Sequence, residues 1–147
     1  MRPRQTIPRQ WLIIAEDSAI SRASQAPRGS GVLLLETVSA VGMRRLRRVA
    51  SHRNLTIVRE KNRAARVHNS RELRRAMLQR KSLILLSPLH PTRSHPDWTP
   101  IPRMRAAALA RLGRGKLLAL GGMDSRKFAQ IRKLGFRAWA GISAFRT

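Results

Sequence analysis

Leu83-Ile84-Leu85-Leu86-Ser87-Pro88-Leu89-His90-Pro91-Thr92-Arg93-Ser94 is the stretch on which the fold turns. Four consecutive apolar residues, a strand's length, stop at a turn that carries Pro88, Pro91 and the hydroxyls of Ser87, Thr92 and Ser94. An apolar run without alternation marks a strand buried on both faces, and its abrupt end marks the delivery of a polar loop to the surface. Loops at the carboxyl ends of parallel strands are where βα-barrels and open α/β sheets bind ligands. The hydroxyls and backbone N–H groups of this loop suit a phosphate; the alternative reading is a Pro-rich connector.

Downstream of the loop, which runs through Trp98 to Pro102, Met104, Ala107, Ala108 and Leu112 predict a helix that ends at Gly113. Leu117 to Leu120 predict a strand stopped by Gly121-Gly122. Asp124 or Ser125 can cap a helix carrying Phe128, Ile131 and Leu134, which ends at Gly135, and Ala138 to Ile142 form a last short strand before Ser143. Upstream, Asn69 reads as an N-cap with Glu72 three residues on, and Leu73, Ala76 and Met77 supply that helix's apolar stripe. Leu55 to Val58 predict another strand, followed by a polar run from Arg59 to Arg66. Met43, Leu46 and Val49 or Ala50 recur at helical spacing among arginines. Val32 to Leu35 and Trp11 to Ala15 are two further strands, each closed by acidic residues, with a short helix at Ser18 to Gln25 and a turn at Pro27 to Gly31 between them. Residues 1–10 read as a basic, disordered lead-in.

Apolar strands alternating with amphipathic helices imply a parallel sheet with βαβ crossovers. Seven strands are predicted, in a single domain over residues 1–147. A closed eight-stranded barrel needs about 200 residues or more. The fold class is therefore α/β, a shortened and incomplete TIM-type βα-barrel, and the sheet either stays open, closes with seven strands, or completes itself against a second copy of the chain.

The formal charge is +24, from 31 basic and 7 acidic residues, and only five of the basic residues are lysines, leaving 26 arginines. Such a balance attracts polyanions. The arginines are nevertheless spread over nearly every predicted helix, and aromatics at 4% with no tyrosine leave few platforms for stacked bases. Nucleic acid is accordingly expected to bind only non-specifically. The absence of cysteine excludes disulfides and thiolate chemistry and suits a reducing, cytoplasmic setting. No apolar run approaches the length of a membrane span, and no targeting signal is evident.

Four motifs in the second half of the chain occur in the order and spacing of one family. Arg66-Val67-His68-Asn69 looks like that family's fifth-strand end, and Ser87 to Ser94 looks like its Gly-Pro-x-x-Pro-Thr-x-Thr loop after strand six. Ala119-Leu120-Gly121-Gly122-Met123 is similar to its Ala-Ile-Gly-Gly-Ile after strand seven, and Ala140-Gly141-Ile142-Ser143-Ala144 to the Val-Val-Ser-Ala that ends strand eight. The chain thus resembles the thiamine-phosphate synthase family and its thiazole tautomerase relatives, which are small βα-barrels. The resemblance implies that Gly121, Gly122, Ser143 and Ala144 contact the phosphate of a thiazole substrate through their backbone, with Thr92 and Ser94 helping to hold it. Glycine leaves room for an anion against the main chain.

Elsewhere the chain departs from the family. A synthase couples the thiazole phosphate to hydroxymethylpyrimidine diphosphate with release of pyrophosphate, using Mg²⁺ carboxylates and cations to stabilise the leaving group. Where its second strand ends Gln-Leu-Arg-x-Lys, this chain reads Leu33-Leu34-Leu35-Glu36-Thr37, and where its third ends Asn-Asp-Arg it reads Ile57-Val58-Arg59. The fourth strand is deleted between Arg59 and Arg66, His95 replaces a lysine, and Arg66 replaces a serine. The phosphate half of the site is kept and the diphosphate and metal half is mostly gone. If the chain acts as a synthase, Mg²⁺ is implied, with Glu36 or Glu60 as fallback ligands and Arg59, Arg66, Arg93 and His95 as a substitute cationic shell. If it acts as a tautomerase, the resemblance makes His68 the acid/base, although a histidine here can equally serve packing. A third reading is a degenerate barrel that binds a phosphorylated ligand without turnover.

Overall fold

The computed structural model describes residues 7–35, 38–61, 63–93 and 95–142. Among these residues seven strands are present: β1 (Gln10–Ile14), β2 (Gly31–Leu34), β3 (Thr56–Arg59), β4 (Ala64–Val67), β5 (Leu83–Leu86), β6 (Leu117–Ala119) and β7 (Ala138–Gly141). Helices α1 (Ala40–Arg53), α2 (Ser70–Leu78), α3 (Arg103–Leu112) and α4 (Ser125–Ile131) and a 3₁₀ segment (Asp17–Gln25) connect them. Every pairing is parallel, in the order β3-β2-β1-β7-β6-β5-β4. The result is a curled, incomplete TIM-like barrel with helices around it.

The sheet encloses one core and carries two others outside. Trp11, Ile13, Leu33, Val58, Ala64, Leu83, Leu85, Leu118, Ala138 and Ala140 pack together, drawn from all seven strands and from no helix, so they fill the concave side. Because side chains alternate along a strand, the residues between them face outward. On β1 and β2 the outward set, including Leu12, Ile14 and Val32, packs on the 3₁₀ segment and α1. On β4 to β7 it packs on α2, α3 and α4 through Leu73, Leu109 and Phe128. Two-sided burial is the physical reason β5 reads Leu-Ile-Leu-Leu without a polar residue.

The barrel is open between β3 and β4, which lie at the two ends of the strand order. A tight turn at Glu60 to Arg63, with the Arg63 and Ala64 N–H groups donating to the Glu60 carbonyl, stands where a strand and helix of a complete barrel would be. The polar run from Arg59 to Arg66 is thus the end of β3, this turn and most of β4. Across the opening Arg66 Nε lies 3.2 Å from Glu60 Oε1. Val58 and Ala64 both reach the inner core, so side chains span the opening where backbone hydrogen bonds do not.

Caps set the helix starts. Asn69 accepts from the Glu72 N–H at 2.9 Å and Asp124 accepts from the Lys127 N–H at 2.8 Å, as the sequence predicts. Ser39 caps α1 by accepting from the Gly42 N–H at 3.0 Å, and Asp17 in turn accepts from both the Ser39 N–H and its hydroxyl. Those two bonds hold the Asp17 carboxyl below the usual aspartate range. A depressed folded-state pKa stabilises the fold above the unfolded value, about pH 4, and that contribution fades as pH falls through the folded value. Asp17→Asn is therefore expected to flatten the acid limb of the stability curve below about pH 4, read by urea titrations at a series of pH values. An unchanged acid limb would mean that the cap relay contributes nothing.

Three details differ from the sequence expectation. The stripe of α3 is Ala106, Leu109 and Ala110, whereas Met104 is 86% exposed and Ala108 is exposed. In the run Ala106 to Ala110 every residue is apolar, so periodicity alone does not choose a face. Glu72 reaches past the N-cap to accept from the His68 N–H at 2.8 Å. Ile7 packs on the inner core and Gln10 opens β1, although both lie in the stretch read as a lead-in.

Candidate functional site

At the carboxyl ends of β5 and β6 two connections are joined into one wall. The Leu89 N–H donates to Leu120 O at 3.1 Å and the His90 N–H to Gly121 O at 3.2 Å, extending the β5–β6 ladder beyond the strands, while the Ile101 N–H donates back to Pro88 O at 2.8 Å. Gly121 and Gly122 both adopt left-handed backbone, at φ 104° and 60°. A Cβ on Gly121 would lie 2.9 Å from Pro88 Cα, and one on Gly122 would lie 2.7 Å from Pro91 O. The glycines are thus required first by the approach of the β5 loop. Lys127, one turn into α4, closes the turn by donating from Nζ to Gly122 O at 2.9 Å.

The residues singled out after β4 and β5 gather on one aromatic ring. Trp98 stacks on His95, with ring centroids 3.8 Å apart and planes within 6°, and meets His68 edge-on at 6.0 Å. His68 Nδ1 lies 2.9 Å from Glu72 Oε2, and that bond is the main cause that lowers the Glu72 pKa. Thr92 Oγ1 accepts from the His95 N–H at 3.0 Å, which leaves its hydroxyl proton free to donate elsewhere. Arg66, the third predicted catalytic residue, is held by Glu60 at the barrel opening. Ser94, Ser143, Ala144 and Glu36 lie outside the described residues.

Several contributors were not singled out from the sequence. Trp98, 47% exposed, is the platform joining His68 to His95; a large aromatic in a proline-rich polar loop, where no core requires it, was the available signal. His90 Nε2 is buried without a hydrogen-bond partner among the described residues, and burial, with Lys127 nearby, lowers its pKa. Arg22, on the 3₁₀ segment, donates from Nη1 to Ile142 O at 3.2 Å at the end of β7. No local pattern distinguished it from its 25 fellow arginines.

Among the described residues, which do not include Glu36, the donor set does not fit Mg²⁺. Among the described residues no three His, Asp or Glu side chains come together. Glu60 is paired with Arg66, Glu72 with His68, Asp17 with Ser39, and Asp124 caps α4. Also among the described residues, no helix is long and apolar enough to cross a membrane.

Solved structures share the fold, two of them as follows. Thiamine phosphate pyrophosphorylase from Pyrococcus furiosus superposes with a TM-score of 0.72 at 12% identity, covering 97% of this chain and 89% of that one. The structure described as native KDPGal gives 0.53 at 11% identity, covering 97% and 86%. No protein-family model matches the sequence, and no curated protein matches it. At these identities the likeness establishes a TIM-like fold of the thiamine-phosphate-synthase kind.

Proposed function

We propose that this chain binds the thiazole phosphate used in thiamine biosynthesis at the carboxyl ends of β5 to β7. The observation that carries the reading is the wall built from the Ser87 to Thr92 loop and the Gly121-Gly122 turn, which stand at the rim where barrels of this kind hold ligands. Thr92 supplies a hydroxyl donor, and Lys127, whose Nζ stands at the Gly122 carbonyl, supplies a cation beside the turn. Ser94, Ser143 and Ala144 complete the phosphate contacts by resemblance. The fold likeness to a thiamine phosphate pyrophosphorylase supports the choice of ligand.

Coupling to the pyrimidine diphosphate is the more demanding step, because the departing pyrophosphate needs its charge neutralised. With no carboxylate cluster for Mg²⁺ among the described residues, that work falls to cations of the rim such as Arg66, Arg93 and His95. Calorimetry with the thiazole phosphate, in buffer free of divalent metal, tests the binding claim, and adding the pyrimidine diphosphate tests pyrophosphate release. Binding of the thiazole phosphate is expected in the first experiment. No heat at millimolar ligand defeats the proposal.

A second reading, proton transfer of the tautomerase kind, is favoured by the Glu72 contact to His68 Nδ1. That bond fixes one ring nitrogen and assigns exchange with a ligand to Nε2. His68→Asn is expected to abolish tautomerisation of the thiazole carboxylate phosphate and Glu72→Gln to slow it by about 10²-fold. Unchanged turnover in His68→Asn would remove the histidine from the mechanism.

A further inference from the structure

Charge is sorted between the two ends of the barrel. Six acidic residues are described, and all six stand directly after a strand or between it and the first turn of the next helix: Glu16, Asp17, Glu60, Glu72, Asp97 and Asp124. Apart from the short β3–β4 turn, which holds Glu60, the connections that lead into strands contain no acid. They carry Arg9, Arg28, Arg80, Lys81, Arg114, Lys116 and Arg137 among others. Part of this pattern complements the helix dipoles, since helices begin at one end and finish at the other. Dipoles alone do not require the next feature.

At the end where β5 to β7 begin, a cavity of about 200 Å³ opens beneath three neighbouring strands. Lys81 and Ser82 before β5, Lys116 before β6 and Arg137 before β7 line it, over a floor of Leu83, Ile84 and Leu118. Among the described residues, none of the three cationic side chains has an ion pair or hydrogen bond, and the Ser82 hydroxyl has no partner either. Three cationic residues thus line one recess with an apolar floor, and a cleft of one sign concentrates anions. Drug-sized ligands occupy roughly 300–1,000 Å³, so the space suits something smaller.

We infer that this cavity is a second binding site, at the opposite end of the barrel from the candidate site, for a small multiply charged anion of the phosphate or diphosphate class. Lys81, Lys116 and Arg137 supply the charge and Ser82 a hydroxyl donor. The inference does not depend on the proposed function.

Inorganic pyrophosphate, titrated calorimetrically into the full chain, is the probe. The triple variant Lys81→Gln, Lys116→Gln, Arg137→Gln is expected to weaken the affected site by about tenfold or more. Arg80→Gln with Arg114→Gln removes charge from the same end without touching the cavity, and is expected to leave affinity within about twofold. Pyrophosphate held at the other rim survives both sets, so the loss reads this cavity alone. If the triple variant fails to fold by circular dichroism, the exposed single variants Lys116→Gln and Arg137→Gln carry the test, each expected to weaken binding severalfold. Equal losses in the cavity and control variants would overturn the site in favour of a diffuse field. So would no pyrophosphate binding alongside steeply salt-dependent binding of single-stranded DNA.

Discussion

Trp11→Ala is expected to lower the free energy of unfolding by about 3–5 kcal/mol, the cost of emptying a large aromatic from a packed interior. Trp11 is 2% exposed and lies in the cluster to which every strand contributes. Its indole N–H donates to Pro8 O at 2.9 Å, so the ring is oriented as well as buried. Its cluster includes Ala64, Ala138 and Ala140, small residues that cannot grow into the space it leaves. A net domain stability of about 5–15 kcal/mol makes such a loss a large fraction of the total. The ring also explains Gly31, where a Cβ would lie 2.2 Å from indole Cδ2. Gly31→Ala should therefore be strongly destabilising although its backbone is unstrained. A urea titration should show the midpoint falling with the slope retained. A loss below about 1 kcal/mol for Trp11→Ala would mean that the concave core does not hold the sheet together.

The relation of Trp11 to Gly31 also marks how far sequence reaches. That Trp11 to Ile14 form a buried strand is legible, because a run without polar residues has few other places to go. That the indole lies over a glycine of β2 depends on the parallel register Trp11↔Gly31, which no local pattern encodes. Six of the seven strands and the caps at Asn69 and Asp124 were readable for the same reason, each depending on neighbours in sequence, whereas β4 lies in the polar run from Arg59 to Arg66, where only the resemblance carried by Arg66-Val67-His68-Asn69 marks a strand end. The face of α3 was not, because five consecutive apolar residues satisfy any stripe, and packing against α2 and the 3₁₀ turn Arg132–Leu134 that follows α4 makes the choice.

The candidate site divides along the same line. Its loops were legible as composition, a strand that ends in prolines, hydroxyls or paired glycines. Their use was not. Sequence resemblance gives Gly121-Gly122 to a ligand, whereas the nearest atoms to the absent Cβ positions belong to Pro88, Leu89, His90 and Pro91. His68 and His95, 27 positions apart by their numbers, share Trp98 through a long loop whose path is tertiary. The sorting of acids to one end of the barrel is visible only once strand direction is known.

Gly122→Ala should separate these two uses of the glycine turn, and Gly29→Ala supplies the comparison. Both glycines have positive φ, 60° and 79°, so both substitutions place an L-residue in left-handed backbone at a cost of about 1–2 kcal/mol. At Gly29 the new methyl meets nothing within 4 Å. At Gly122 it meets Pro91 O at 2.7 Å, a main-chain atom of a loop tied to β6 at Leu89 and His90, which cannot move without breaking that tie. The expected losses are about 1 kcal/mol for Gly29→Ala and about 2–4 kcal/mol for Gly122→Ala, the excess measuring the loop contact. Thiazole phosphate binding should be unchanged in the first and fall about tenfold or more in the second, because displacing the loop moves Thr92 and the Gly121 backbone together. Equal stability losses would show that the loop yields freely. A destabilised Gly122→Ala that still binds normally would confine the glycine pair to a structural role and place the phosphate elsewhere on the rim.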